Sequence, residues 1–202
     1  MRFTCVVLAG LVANAACGDG IGRPIRQAVA NEGAAGADGG ADASTLDGVQ
    51  RTCAELADGW AENAKDAERA LLELINQARG MEWECGRSLY DAEDPLQHAP
   101  ELQCSARLHT LDMARYGFVR STGSDNRNPE ERMRAAGFDL ENWEESLVVD
   151  EFDPNMVFER LIERYPDCSY VLRGQLTHIG IGFSEGYWTI DYAEEDAQDD
   201  RR

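Results

Sequence analysis

Histidine is scarce in this chain: three in 202 residues, at His98, His109 and His178. Basic residues are also few, 19 Lys and Arg against 38 Asp and Glu, for a net charge of −19. Phosphate binding needs clustered Lys and Arg, so nucleic acid is not an expected partner. Direct adhesion to an anionic lipid surface is disfavoured for the same reason. The surplus acid reads as solubility and self-repulsion. No C-x-x-C pair exists and the six cysteines are widely spaced, which disfavours a zinc site. No G-x-S-x-G is present, so there is no nucleophile elbow. No internal repeat is evident.

What the chain does have begins at its N-terminus. Met1-Arg2 is a short basic start, and Phe3 to Ala16 is an apolar run. That run is too short to span a bilayer and fits a signal peptide over residues 1–16. It ends Asn14-Ala15-Ala16-Cys17, small residues directly before a cysteine, which resembles a bacterial lipobox. Lipidation of Cys17 would anchor the chain to a membrane, stably only through several acyl chains. Ordinary cleavage after Ala16 is the rival, because Asn14 stands where Leu is usual.

Residues 17–50 are rich in Gly, Ala and Asp, with almost no large apolar side chains. Such a segment cannot bury enough surface to offset its chain entropy and reads as a lipid-anchored or free tether. Export permits disulfides. With Cys5 in the signal and Cys17 at the cleavage site, Cys53, Cys85, Cys104 and Cys168 remain. Four cysteines allow three pairings, and the sequence does not choose among them.

From about 51 to 79, Ala64, Ala67, Leu71, Leu74, Ile75 and Ala78 recur at helical spacing, with Gly80 as a stop. Residues 86–99 read as a loop. A second helix runs from about Ala99 to Tyr116 and ends at Gly117. A third spans 128–137, with Asn128 as cap, Pro129 at the first position and Gly137 as stop. A fourth spans 152–166, with Met156, Val157, Leu161 and Ile162 facing inward. Strands follow at 175–183 and 187–192, and the acidic tail from Ala193 reads as frayed.

Five blocks, in order, carry a family resemblance. Leu102, Ala106, His109, Asp112, Met113 and Ala114 match "L-x-x-x-A-x-x-H-x-x-D-M-A". Leu72-Glu-Leu-Ile-Asn76-Gln-Ala-Arg79 resembles "L-x-x-x-N-x-x-R". Pro129-Glu-Glu-Arg132-Met-Arg-Ala-Ala-Gly137-Phe138 resembles "P-x-x-R-x-x-A-G-Y". Cys85-Gly86 and His178-Ile-Gly-Ile-Gly-Phe183 complete the set. Together they resemble the CAP superfamily (cysteine-rich secretory, antigen 5 and pathogenesis-related proteins) in its bacterial secreted SCP-domain form. The resemblance implies an α+β fold, an α-β-α sandwich with a small, mostly antiparallel sheet between helical layers. It would occupy 51–193, with 194–202 as an acidic tail.

In that family a cleft is lined by two histidines and one or two glutamates, and in some members it holds a divalent cation. Here the cleft is degenerate. The turn "F-S-H-T-G" reads Val119-Arg-Ser121-Thr-Gly123, so Ser121 stands at the first histidine. Trp143-Glu144-Glu145-Ser146-Leu147 resembles "G-E-N-I-A" and makes Glu145 the retained carboxylate, or Glu144 if the register slips by one. Asp167 stands at the second histidine, before Cys168. Arg164 falls near the second glutamate, beside Glu163. Two carboxylates and a hydroxyl would not select Zn²⁺, so no metal and no cofactor are expected. The expectation is an ion pair of Arg164 with Glu145 or Asp167 in place of the cation. His109 and His178 are read as structural, and the four tryptophans as packing.

The function these readings favour is non-catalytic: an exported cell-envelope or secreted CAP-domain protein, monomeric, binding a lipid or an extracellular protein. A hydrolase or protease-like enzyme is one alternative. Loss of both cleft histidines argues against it, and Ser121 has no base placed beside it. A Glu145–Asp167 acid–base pair of the glycosidase kind has no separation fixed by sequence. A Ca²⁺-responsive surface protein is the other alternative, motivated by Asp150, Glu151 and Asp153.

Overall fold

The computed structural model describes residues 52–196. The signal segment, Cys17 and the tether lie outside them, as does the end of the acidic tail. A short helix, α1, covers 52–59, and α2 runs Glu62–Arg79. The helical pattern from 51 to 79 is therefore two helices, parted at Trp60 and the extended Ala61. A small antiparallel hairpin follows, β1 (Trp83–Cys85) with β2 (Ser88–Tyr90), then β3 (Gln97–His98); β2 and β3 lie inside the stretch read as loop. Helix α3 (Pro100–Tyr116) ends at Gly117, whose φ of 65° is left-handed and suits glycine.

Helix α4 (Pro129–Ala136) is set by its ends. The Asn128 side chain accepts a bond from the Glu131 N–H, and the Glu131 carboxylate accepts one from the Asn128 N–H. Gly137 closes it in the left-handed region. The helix expected over 152–166 is shorter and is followed by another. Helix α5 runs Pro154–Glu163 with Asp153 as its cap, extended backbone at Arg164 ends it, and α6 runs Asp167–Leu172. Val157 and Leu161 are buried as expected, but Met156 is exposed.

The main sheet has the order β3-β5-β6-β4, made of β3, β4 (Leu140–Val148), β5 (His178–Ser184) and β6 (Tyr187–Glu195). Only the β3–β5 pair is parallel. Strand β4 holds the segment read as a cleft remnant, and β6 continues through Ala193 to Glu195, where fraying was expected. Glu185 and Gly186, both at positive φ, form the tight turn between β5 and β6.

Strand alternation makes the two faces different. Ile179, Ile181, Phe183, Trp188, Ile190 and Tyr192 point to one face, where they pack with Leu71 and Ile75 of α2, Val157 and Leu161 of α5, and Val171 of α6. The opposite face carries Gly180, Gly182, Thr189, Asp191 and Ala193, and it meets α3 and α4. A Cβ on Gly180 would lie 2.0 Å from the Leu102 backbone, and one on Gly182 would lie 2.6 Å from that of Ala106. The two glycines thus let α3 lie directly on β5. The result is the α-β-α sandwich.

The Asn76–Arg79 pair of the first block is structural. Asn76 exchanges two hydrogen bonds with the Leu96 backbone. The buried Arg79 donates to the carbonyls of Asp94, Val171, Arg173 and Leu176. The disulfides are Cys53–Cys104, joining α1 to α3, and Cys85–Cys168, joining β1 to α6. Strand β4 is outermost, and three arginines donate to carbonyls along it or just beyond its end: Arg134 to Leu140, Arg164 to Leu147 and Arg160 to Val149. Among the described residues, no helix is long and apolar enough to cross a membrane.

Candidate functional site

The four expected cleft residues fall into two pairs in different layers. Ser121, in the loop after α3, meets Glu145 of β4 on the α3–α4 side of the sheet. Arg164 and Asp167 belong to the α5–α6 side, where they pair with each other. Arg164 pairs with Asp167, but its side chain is 55 % exposed, so this is not the internal ion pair expected in place of the cation, and it does not serve Glu145. The guanidinium at Glu145 is Arg132, from α4. The pleat separates the two glutamates. Glu144 points to the opposite face from Glu145 and takes a 3.0 Å bond from Arg173.

Glu145 sits opposite Asp191 in the β4–β6 ladder, so two carboxyl groups share one rung of one face. The Asp191 residue is wholly buried and the Glu145 side chain is 2 % exposed. Burial disfavours both charged forms, and the Asp191 charge adds to the cost of ionising Glu145. Burial, with the Asp191 charge added, pushes Glu145 up to about 8, against the opposing pull of Arg132 and Ser121. Burial pushes Asp191 up to about 6, against the pull of Arg132 and Ser105. The pair titrates as a unit and holds one proton at neutral pH.

Arg132 is 8 % exposed and reaches in two directions. Its Nη2 donates to Glu145. Its Nη1 donates to the carbonyls of Ser121 at 2.5 Å and Arg127 at 3.2 Å. Glu145 Oε1 and both Asp191 oxygens have no well-formed hydrogen bond. Ser105 of α3 faces Asp191 closely enough to act on it electrostatically.

His109 is packed, as the sequence suggested. Its Nε2 donates to the Arg120 carbonyl at 3.0 Å, which leaves Nδ1 without a proton. Burial, then the charge of Arg132, pushes it down to about 4, so it is neutral. His98 bonds Gln103, and His178 lies against Phe138.

A second buried charge cluster lies on the other side of α3. Glu68 accepts bonds from Trp60, Gln103, Arg107 and the Phe183 backbone. Burial raises its pKa, and the Arg107 bond opposes this. With so many donors, Glu68 is a structural anchor. Beside it is a groove of about 430 Å³ walled by Leu56, Leu72, Ile179 and Ile181, with the partly exposed Lys65 and Arg69 among its lining residues.

Arg132 and Asp191 are the cleft residues that sequence reasoning did not assign to the site. A signal existed for Asp191. In Tyr187–Tyr192 the alternation places an acid among residues of a buried strand, which is rare without a partner. Arg132 was visible only as part of a helix motif.

Comparisons with known proteins follow the fold. No protein-family model matches the sequence, and no curated protein matches it. Among solved structures, the chain is similar to an extracellular protein containing an SCP domain from Bacillus anthracis, with a TM-score of 0.58 and 14 % identity. The match covers 65 % of this chain and 41 % of that one, so the chain spans well under half that protein's length. It is also similar to an outer surface protein from Borrelia burgdorferi, with a TM-score of 0.53 and 11 % identity over 65 % of this chain and 95 % of that one. These likenesses show the fold alone: an α-β-α sandwich of the CAP, or SCP, type.

In some members of the family that the sequence resembles this cleft holds a divalent cation, and the residues present here do not fit one. The first histidine position is Ser121, and Asp167 lies in another layer. Glu145 already holds a guanidinium. Among the described residues, no three His, Cys, Asp or Glu side chains are grouped to hold a metal ion.

Proposed function

We propose that this chain is an exported CAP-fold protein with a non-catalytic, binding role. The observation that carries this is the enclosure of the Glu145–Asp191 pair. General acid–base chemistry needs a carboxyl within hydrogen-bond reach of a substrate. Glu145 is covered by Arg132 and Asp191 is wholly buried. Export is supported by the signal-like N-terminus and by the surface location printed for both similar structures. Anchoring through Cys17 belongs to the same reading, as does a monomeric state.

The ligand class is a lipid or an extracellular protein. The groove of about 430 Å³ at α1, α2 and α3 favours an amphiphile. Leu56, Leu72 and Ile181 would cover an acyl chain, and Lys65 and Arg69 suit an anionic head. Displacement of a fluorescent fatty acid from the purified chain tests this. Saturable binding that Leu72→Arg abolishes supports it. Absence of binding removes the lipid ligand and leaves a protein partner. A melting temperature indifferent to calcium is expected, and a calcium-dependent rise would restore the Ca²⁺-responsive alternative.

A further inference from the structure

We propose that the Arg132 guanidinium is the resident cation of this cleft, and that it clamps the loop from Gly117 to Asn128 onto the sheet through the Glu145–Asp191 pair. The proposal is independent of which ligand the protein binds.

The geometry is that of a bridging ion. A hard cation is held by oxygen atoms, of carboxylates and of backbone carbonyls alike. Arg132 does this with one planar fork: Nη2 on Glu145, and Nη1 on the Ser121 and Arg127 carbonyls. Those two carbonyls belong to the loop, and Glu145 belongs to the sheet. The loop is otherwise held from α3 by Asp112, which accepts from the Ser124 N–H and hydroxyl, and by His109, whose Nε2 donates to the Arg120 carbonyl, while within the loop the Gly123 N–H donates to the Arg127 carbonyl. The fork is pre-aimed, because the capping box at Asn128 and Glu131 fixes the start of α4 one turn before Arg132.

Charge makes the clamp more than a hydrogen-bonding device. With one proton between them, Glu145 and Asp191 carry one negative charge in a buried site. Around them are Ser105 and neutral His109 from α3, Ser121 from the loop, Arg132 from α4, and Gly180 opposite Asp191 on β5. Of these, Arg132 alone supplies positive charge. Its positive charge takes the place that a soluble metal would fill.

The test uses the full chain and two variants, Arg132→Met and Arg132→Lys. Melting is followed against pH, and against added MnCl₂, CaCl₂ or EDTA. Amide exchange is read over residues 121–127. Wild type is expected to ignore both metals and the chelator. Arg132→Lys should keep most of the loop's protection. Arg132→Met should lose it about tenfold and melt lower by on the order of 10 °C. Its deficit should narrow between about pH 8 and about pH 5, as the carboxyl pair takes its second proton. It should also gain a melting rise with MnCl₂ that wild type lacks. Three results overturn the proposal: a deficit independent of pH, Arg132→Lys as damaging as Arg132→Met, or a wild type that already responds to metal. Should Arg132→Met fail to fold, Arg132→Lys and the wild-type metal titration still decide.

Discussion

Glu145 of β4 and Asp191 of β6 are direct cross-strand partners, and their carboxyl groups meet in a buried site under Arg132. Like charges directly opposite each other destabilise a ladder. The pair persists because it retains a proton. The pKa values pushed up to about 8 and about 6 are the same fact in titration terms. An acid whose folded pKa is raised favours the folded state while it is protonated. Its contribution is therefore lost as pH rises through the folded value.

The first prediction concerns the pH dependence of stability. From about pH 4.5 to about pH 8 the wild type should lose stability, because the unfolded chain gives up these carboxyl protons while the folded pair still holds them, and the fall should level off as the last of them leaves near pH 8. Asp191→Asn should flatten that fall, because Glu145 then faces Arg132 without a second acid. Urea denaturation across this range measures it. An unchanged slope in Asp191→Asn would assign the loss to other groups.

Glu68 and Arg107 form a pair whose side chains are 4 % and 9 % exposed, with a 2.6 Å contact. Truncating either alone leaves a buried charge. Glu68→Ala should therefore cost about 3–5 kcal/mol. The double variant Glu68→Leu with Arg107→Met should cost less than Glu68→Ala alone. The coupling energy from the full set of singles and doubles is the measurement.

Gly180→Ala should be among the most damaging single changes in the chain, above about 3 kcal/mol, because its Cβ would meet the α3 backbone rather than a movable side chain. Gly59→Ala is the control, with nothing within 4 Å of the added atom. Thermal melting of the two variants should separate them widely.

The disulfides close loops with sequence separations of 51 for Cys53–Cys104 and 83 for Cys85–Cys168. In the chain-entropy view each contributes about 4 kcal/mol. Reduction should lower the melting temperature strongly, and Cys85→Ser with Cys168→Ser should do so even without reductant. Mass mapping of the peptides tests the pairing directly.

Much of the fold could be read before any coordinates. Asn128, Pro129 and Gly137 delimit α4, and Gly117 ends α3, because cap residues act locally. The two glycines of His178–Phe183 marked a strand whose crowding only the packed helix explains. Strand β4 was hidden because Glu144 and Glu145 are the same residue type on opposite faces, so the period of two leaves no contrast. Helix α6 was not foreseen: the fourth helix was expected to run on to 166, whereas extended backbone at Arg164 ends α5 and a separate helix starts at Asp167. The site was less accessible still. Arg132, Glu145 and Asp191 lie on three elements, and what joins them is strand pairing and helix docking. Arg164 was a plausible partner for Glu145 by sequence position, but the sheet lies between their layers.

The three arginines along the outermost strand bear on behaviour at high local concentration. An open sheet edge is a template for strand addition from another copy. Here Arg134, Arg160 and Arg164 already occupy main-chain acceptors at Leu140, Val149 and Leu147. An incoming strand would have to evict three guanidinium groups and accommodate their charge before it could pair. That eviction cost is a built-in defence against fibre-like assembly.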